Sequence, residues 1–185
     1  RTASAYSFKY GTAHPSDLVA RAAHFDMPAL ALTDRDNLAG VIRFAKAALR
    51  DGIAPIIGIN LAIDISGDIE IRNIDDRKRL PRVTILSGSD GRYRDLMHLY
   101  RGITMRSPDR FPVLTLDILE RFSQYSSRLY LLHGPESPIA DALIKHRSDS
   151  AYEIFNRTRP FFEDHAIECV SHLVAGTAPR STAHA

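Results

Sequence analysis

Apolar segments of strand length alternate with segments of helical periodicity, and this alternation constrains the fold more than any other feature of the chain. Residues 27–33, "MPALALT", form a short apolar run suited to a strand buried on both faces. A helix is predicted near residues 38–50, with Gly52 as its C-terminal cap. Another apolar run, "IAPIIGINLAI", follows it. A strand, a helix and a strand at this spacing predict a right-handed crossover within a parallel sheet.

The rest of the chain continues the alternation. Further helices are predicted at residues 14–25 (capped by Ser16 or Asp17), 91–101, 114–122, 137–145 and 149–162, and further strands at 82–88, 128–134 and 165–173. Residues 61–65 and 69–72 suggest a hairpin around Ser66, Gly67 and Asp68, and the charged residues 75–79 suggest an exposed loop. An open doubly wound sheet and a barrel both satisfy this α/β pattern. Both place ligands at the carboxyl ends of the strands.

Composition limits the classes of function. The 24 basic and 22 acidic residues nearly balance, so charge alone does not indicate a nucleic-acid-binding protein. The single cysteine, Cys169, excludes a disulfide within the chain and favours a reducing, cytoplasmic location. No apolar run approaches the ~18 residues of a membrane span. We expect residues 1–185 to form one domain, and both ends suggest a fragment of a longer protein.

Three residues at predicted strand ends are of types that bind metal ions: Asp34, His133 and His172. A hydrolytic site with two or three metal ions needs many more carboxylates and imidazoles. Asp34 could instead bond backbone N–H groups or pair with Arg35. Each histidine could equally be a hydrogen-bonding residue. Glycine-rich phosphate loops, G-x-S-x-G motifs and paired cysteines are absent from the sequence.

Three phrases occur in order near the amino terminus: "S-x-Y-S" at 4–7, "A-L-T-D-x-x-N-L-x-G" at 31–40 and "P-I-I-G" at 55–58. Together they resemble the start of the PHP (polymerase and histidinol phosphatase) domain of bacterial DNA polymerase III alpha subunits, with the error-prone branch most similar. The resemblance implies a PHP-type distorted (β/α)7 barrel, incomplete or truncated here. It also implies a family chemistry in which three zinc or manganese ions hydrolyse phosphoesters, in some polymerases for 3′–5′ proofreading.

The metal-binding pattern that this resemblance implies is mostly replaced. Histidines are expected where Arg1, Ala3, Arg35 and Arg82 stand, an aspartate where Tyr10 stands and a glutamate where Asn60 stands, whereas Asp34 and His172 are retained. Arginine is a permanent cation that cannot coordinate zinc. We therefore expect a vestigial site without a bound metal, in which a guanidinium takes the place of a metal ion and pairs with Asp34.

Three hypotheses about function follow. The first is a degenerate PHP domain of a DNA polymerase III alpha-type subunit. It would have a structural or docking role, no catalytic residue of its own, and DNA and other replication or repair subunits as partners. The second is an active metal-dependent phosphoesterase or 3′–5′ exonuclease, its site rebuilt from residues such as His14, His133 or Asp64. The third is an anion-binding module in which Arg1, Arg35 and Arg82 meet phosphate or a nucleic-acid backbone, unless they form internal salt bridges.

Overall fold

A mixed six-stranded sheet organises the chain in this computed structural model, which describes residues 2–66, 79–88, 92–106 and 111–170. The strands are β1 (Ala29–Arg35), β2 (Ala54–Asp64), β3 (Arg82–Ser87), β4 (Val113–Thr115), β5 (Leu129–His133) and β6 (Asp164–Ile167). The helices are α1 (Pro15–His24), α2 (Val41–Arg50), α3 (Tyr93–Arg106), α4 (Leu116–Arg121), α5 (Ser123–Ser126), α6 (Pro138–Ile144) and α7 (Ser148–Thr158), followed by a 3-10 turn at Arg159–Phe161. Within these residues, no helix is long and apolar enough to cross a membrane.

The long strand β2 is the centre of the sheet. It pairs in parallel with β1, as the predicted crossover through α2 requires, and antiparallel with β3. Where β1 ends, opposite Asn60, β4 takes over and pairs in parallel with β2 from Ala62 to Asp64. The strand order β1-β2-β3-β5-β6 leaves the sheet open within the described residues. The predicted α/β class is confirmed, and the open sheet is consistent with an incomplete barrel.

Two apolar clusters hold the helices to the sheet. The larger one packs α3 against β2, β3 and β5 through side chains such as Leu99, Ile103, Ile59 and Ile85, all fully buried. The smaller one packs α1 and α2 against β1, with Phe44 at its centre. Burial of this apolar area is the main favourable contribution to folding. One sheet face is therefore covered, and the polar strand ends lie outside these clusters.

The structure differs from several predicted boundaries. Residues 113–115 form strand β4, whereas the predicted helix began at residue 114 after a connecting segment. They form a strand because they lie beside β2 beyond the point where β1 ends. Neither Ser16 nor Asp17 caps α1: His14 is the N-cap without a side-chain hydrogen bond, and Pro15 begins the helix. Gly52 follows α2 with a φ of 72°, as its predicted capping role requires. The second hairpin strand, 69–72, lies outside the described residues.

Candidate functional site

Asp34 is buried, with 2% of its surface exposed, and its carboxylate is fully engaged by hydrogen bonds. Ser4 donates from its backbone N to Oδ1 at 2.6 Å and from its Oγ to Oδ2 at 2.8 Å. Ser7 Oγ donates to Oδ1 at 2.6 Å. Hydrogen bonds to a carboxylate are strong, and these three compensate its burial without a cation. The "S-x-Y-S" phrase thus supplies the donors for the aspartate of the "T-D" turn.

Gly40 is the glycine at the end of the "A-L-T-D-x-x-N-L-x-G" phrase, and the structure shows why a glycine is needed there. A Cβ at this position would lie 2.9 Å from Asp34 Oδ2 and 2.9 Å from the ring of Tyr6. A side chain would therefore displace either the carboxylate or the aromatic ring. The beginning of α2 is thus packed directly against the carboxylate of Asp34.

Arg35 lies on the opposite face of β1 from Asp34, because successive strand residues point to opposite faces. Its Nη2 donates to Glu136 Oε2 at 2.5 Å, and its Cζ lies 3.4 Å from the centre of the Tyr10 ring. The expected pairing of Arg35 with Asp34 is therefore wrong. Period-two alternation along β1 would have revealed this from the sequence. Glu136, in the loop between β5 and α6, carried no signal that could have identified it.

Arg82, the first residue of β3, connects this strand to β2 and to the turn after β1 through its hydrogen bonds, and 10% of its side chain is exposed. Its Nε donates to Asn60 Oδ1 at 2.6 Å. Its Nη2 donates to Asp36 Oδ1 at 2.6 Å and to the Asn60 carbonyl at 2.9 Å. Asn60 Nδ2 in turn donates to Thr84 Oγ1 at 3.1 Å. Two positions where the resemblance implies metal ligands, 60 and 82, are thus joined to each other by hydrogen bonds.

Asp36, like Glu136, is a residue of the site that the sequence did not identify. It has a φ of 60°, which is uncommon for a residue other than glycine, and its backbone N donates to the Asn60 carbonyl at 2.9 Å. Tyr100 OH donates to the Asp36 carbonyl at 3.0 Å. Burial and the charge of Asp36 raise the pKa of Tyr100. The second carboxylate of "T-D-R-D", in a turn that favours aspartate, was the available signal.

His133 shares its side of β5 with Leu131, and this is the face of the sheet opposite to Asn60 and Arg82. Its Nε2 is 3.1 Å from Nδ1 of His165, and the two rings are stacked. The edges of Phe155 and Phe162 contact the ring of His165. Burial, with a smaller effect of His165, lowers the pKa of His133 to about 4. The structure does not bring His133 together with Asp34, Arg35 or Arg82.

Two cavities meet at Arg35. An inner cavity of about 360 Å³ is lined by Thr33, Asn60 and Arg35 among others. An outer cleft of about 570 Å³ extends past Arg82 toward α6 and α7. Tyr10, Arg35 and Glu136 line both cavities, so the stacked and ion-paired Arg35 stands at their boundary.

Two predicted site residues, Arg1 and His172, lie outside the described residues. Of the other proposed ligands, His14 is exposed before α1, and Asp64 is buried at the end of β2, where it accepts a hydrogen bond from Ser66 Oγ at 3.1 Å. Within the described ranges, no group of three or more histidine, cysteine, aspartate or glutamate side chains is placed to hold a metal ion.

The open α/β sheet is similar in fold to a solved structure. A solved structure from Bifidobacterium adolescentis, assigned as a metal-dependent phosphoesterase, superimposes with a TM-score of 0.56 at 9% identity, and the match covers 89% of this chain and 74% of that one. The family model described as the PHP domain matches residues 1–172. The chain belongs to the PHP domain family, as the sequence resemblance predicted.

Similar proteins include DNA polymerases. The DNA polymerase III subunit alpha of Buchnera aphidicola is 31% identical over 162 residues, which are 87% of this chain and 13% of the relative. The error-prone DNA polymerase of Cutibacterium acnes is 48% identical over 62 residues, 34% of this chain and 6% of the relative. That of Corynebacterium efficiens is 34% identical over 107 residues, 58% of this chain and 9% of the relative. The chain thus spans a small fraction of the length of these relatives.

Proposed function

We propose that residues 1–185 form a single PHP domain of a DNA polymerase III alpha-type subunit, whose metal site is lost and whose role is structural. The domain would be a rigid platform for the polymerase body or a partner subunit, in replication or error-prone repair synthesis. The parent subunit would act on DNA in the cytoplasm. Similarity to the amino-terminal regions of alpha subunits and error-prone polymerases supports this assignment.

The observation that carries the proposal is the arrangement of Arg82. A guanidinium stands where the family resemblance implies an imidazole, and it binds Asn60 and Asp36 by three hydrogen bonds. A cation that joins β3 to the turn after β1 stabilises the strand ends of the sheet. The same position in a working metal site would have to present a neutral nitrogen atom to the metal.

The described donor set does not fit a zinc or manganese cluster. Both oxygens of Asp34 already accept hydrogen bonds from Ser4 and Ser7, which leaves this carboxylate little remaining capacity to coordinate several metal ions. Arg35 and Arg82 add positive charge close to the place where further cations would have to bind. We therefore propose no reaction step through a metal ion in this domain.

Metal loading tests this proposal against an active phosphoesterase. The purified chain would be dialysed against manganese or zinc, freed of excess metal, and measured for bound metal and for hydrolysis of nitrophenyl phosphate. We expect well below one metal ion per chain and no turnover above that of the Asp34→Asn variant. Stoichiometric metal together with turnover that Asp34→Asn abolishes would overturn the proposal and establish the phosphoesterase alternative.

The assignment to a polymerase subunit is tested by the size of the native polypeptide. An antibody against this chain would be used to probe a lysate of the cells that produce it. We expect a band several-fold larger than the 20.6 kDa of the chain, because the curated relatives are much longer. A band near 20.6 kDa would instead identify a free-standing PHP protein.

A further inference from the structure

The outer cleft beside Arg35 has an excess of positive charge. Its described lining includes five basic side chains, Arg35, Arg79, Arg82, Lys145 and Arg147, and two acidic ones, Glu136 and Asp141. The chain as a whole carries a formal net charge of only +2, so this concentration of cations is local. A concave surface lined by one sign of charge concentrates ligands of the opposite sign.

Three of the five cations already have acidic partners. Arg35 pairs with Glu136 at 2.5 Å, Arg82 with Asp36 at 2.6 Å and Lys145 with Asp141 at 2.7 Å. A neighbouring carboxylate balances each of these three charges, which leaves little of their charge for a ligand.

Arg79 and Arg147 have a different environment. Both are exposed, and neither forms an ion pair with another residue in the described ranges. They come from separate segments, Arg79 from the approach to β3 and Arg147 from the junction between α6 and α7. Arginine binds phosphate groups through paired N–H donors, and these two arginines line the cleft with guanidinium groups that have no acidic partner in the described ranges.

Tyr10 adds an aromatic surface to the same cleft. Tyr10 is 59% exposed, although the Arg35 guanidinium lies against one face of its ring. Nucleic-acid bases stack on tyrosine rings and on arginine planes, and such stacking tolerates any base sequence. Phosphate-binding cations and a stacking surface together are the features that recognise a nucleotide.

We propose that this cleft binds a nucleotide, free or within single-stranded DNA, with its phosphates on Arg79 and Arg147 and its base near Tyr10. The site differs from the anion site expected from sequence, because Arg35 and Arg82 are held in ion pairs and Arg1 lies outside the described residues. It requires no metal ion. The inference is independent of the platform role and would hold for a free-standing protein as well.

Binding of a labelled oligonucleotide of about 15 thymidines tests the phosphate contacts. Fluorescence anisotropy would be measured for the wild-type chain, for Arg79→Ala/Arg147→Ala and for Arg43→Ala/Lys46→Ala. The last variant removes the same charge from exposed positions of α2 outside the cleft. We expect Arg79→Ala/Arg147→Ala to lower the affinity about tenfold or more. The slope of log affinity against log salt should become shallower by about 1.4, the value for two lost phosphate contacts to a single strand. The control should change little. No binding by the wild type, or equal losses in the two variants, would overturn the proposal.

The base contact is tested with Tyr10→Leu and with three competitors of the labelled oligonucleotide: inorganic phosphate, thymidine monophosphate and unlabelled oligonucleotide. We expect Tyr10→Leu to weaken the two thymidine ligands by about tenfold and to leave competition by inorganic phosphate unchanged. Tighter competition by the oligonucleotide than by the monophosphate would identify single-stranded DNA as the ligand, and equal competition per molecule would identify a free nucleotide. An equal effect of Tyr10→Leu on inorganic phosphate would overturn nucleotide recognition. Circular dichroism would verify that every variant is folded.

Discussion

At the scale of single residues, two neighbouring positions at the end of β1 have unrelated environments. Asp34 points toward Ser4 and Ser7, and its charge is stabilised by hydrogen-bond donors that carry no charge themselves. Arg35 points to the other side, where Tyr10 and Glu136 receive it. Arg82 then has no access to Asp34 and pairs with Asp36. Arg35 and Arg82, two of the three arginines that stand at expected histidine positions, are therefore held in separate polar networks on the sheet.

The contribution of Arg82 can be measured by its removal. We expect Arg82→Met to lower the free energy of unfolding by about 2–3 kcal/mol, because Asp36 and Asn60 lose their charged donor. Urea unfolding would measure it, with Arg43→Met at an exposed position as the matched control. Adding Asp36→Asn to Arg82→Met should recover part of the loss, since the unpaired carboxylate is then gone. A loss no greater than that of Arg43→Met would show that the network does not stabilise the fold.

At the scale of elements, the glycine of "P-I-I-G" lets three strands approach each other. Gly58 lies in β2 between Thr33 of β1 and Leu86 of β3. A Cβ there would be 2.5 Å from Leu86 Cδ2, 2.7 Å from the Ile85 carbonyl oxygen and 2.9 Å from Thr33 Cγ2. One of these atoms belongs to the backbone of β3, so a rotamer change could not relieve the contact. The glycine is thus required by sheet packing.

We expect Gly58→Ala to destabilise the domain by about 2 kcal/mol or more, because the added methyl group forces β2 and β3 apart. The small gain from removing a flexible glycine would not offset this clash. Thermal and urea unfolding would be compared with those of Ala54→Val, which enlarges an exposed side chain at the beginning of the same strand. Equal stability of Gly58→Ala and the wild type would show that the strands move apart at little cost.

At the scale of the whole molecule, a histidine pair lies where β5 and β6 meet, at one end of the sheet. His133 on β5 and His165 on β6 meet beneath α7 and the 3-10 turn. The pKa of both is lowered, chiefly by burial, and that of His133 falls to about 4. The unfolded chain, in which histidine titrates near 6.5, binds protons that the folded protein excludes. The contribution of this pair to stability is therefore greatest above pH 6.5 and decreases as the pH falls toward 4.

This pH dependence is specific to the buried ring. Between pH 7.5 and 4.5, we expect His133 to account for a decrease of about 2–3 kcal/mol in the free energy of unfolding. Urea unfolding at both pH values would show a smaller decrease in His133→Leu than in the wild type. His24→Leu, at an exposed position of α1, is the matched control and should retain the decrease of the wild type. Identical decreases in all three proteins would contradict the assignment to His133.

The sequence by itself determined the class of fold and the family. Helical and strand periodicity located the crossover from β1 through α2 to β2, and the "S-x-Y-S" and "T-D" phrases identified the PHP domain. These features were readable because they depend on local spacing and on residues close in the chain. The same reasoning could not locate β4, whose three residues become a strand only because β2 offers them a free edge.

The tertiary structure alone decided how the charges are paired. Asp34 and Arg35 are adjacent in sequence but separated by the sheet, whereas Arg35 meets Glu136 and Arg82 meets Asp36 across long sequence distances. Likewise, Arg79 and Arg147 line one cleft although they lie far apart in the sequence. Electrostatic partners depend on distance in space and on which face a side chain occupies, and strand register and packing fix both.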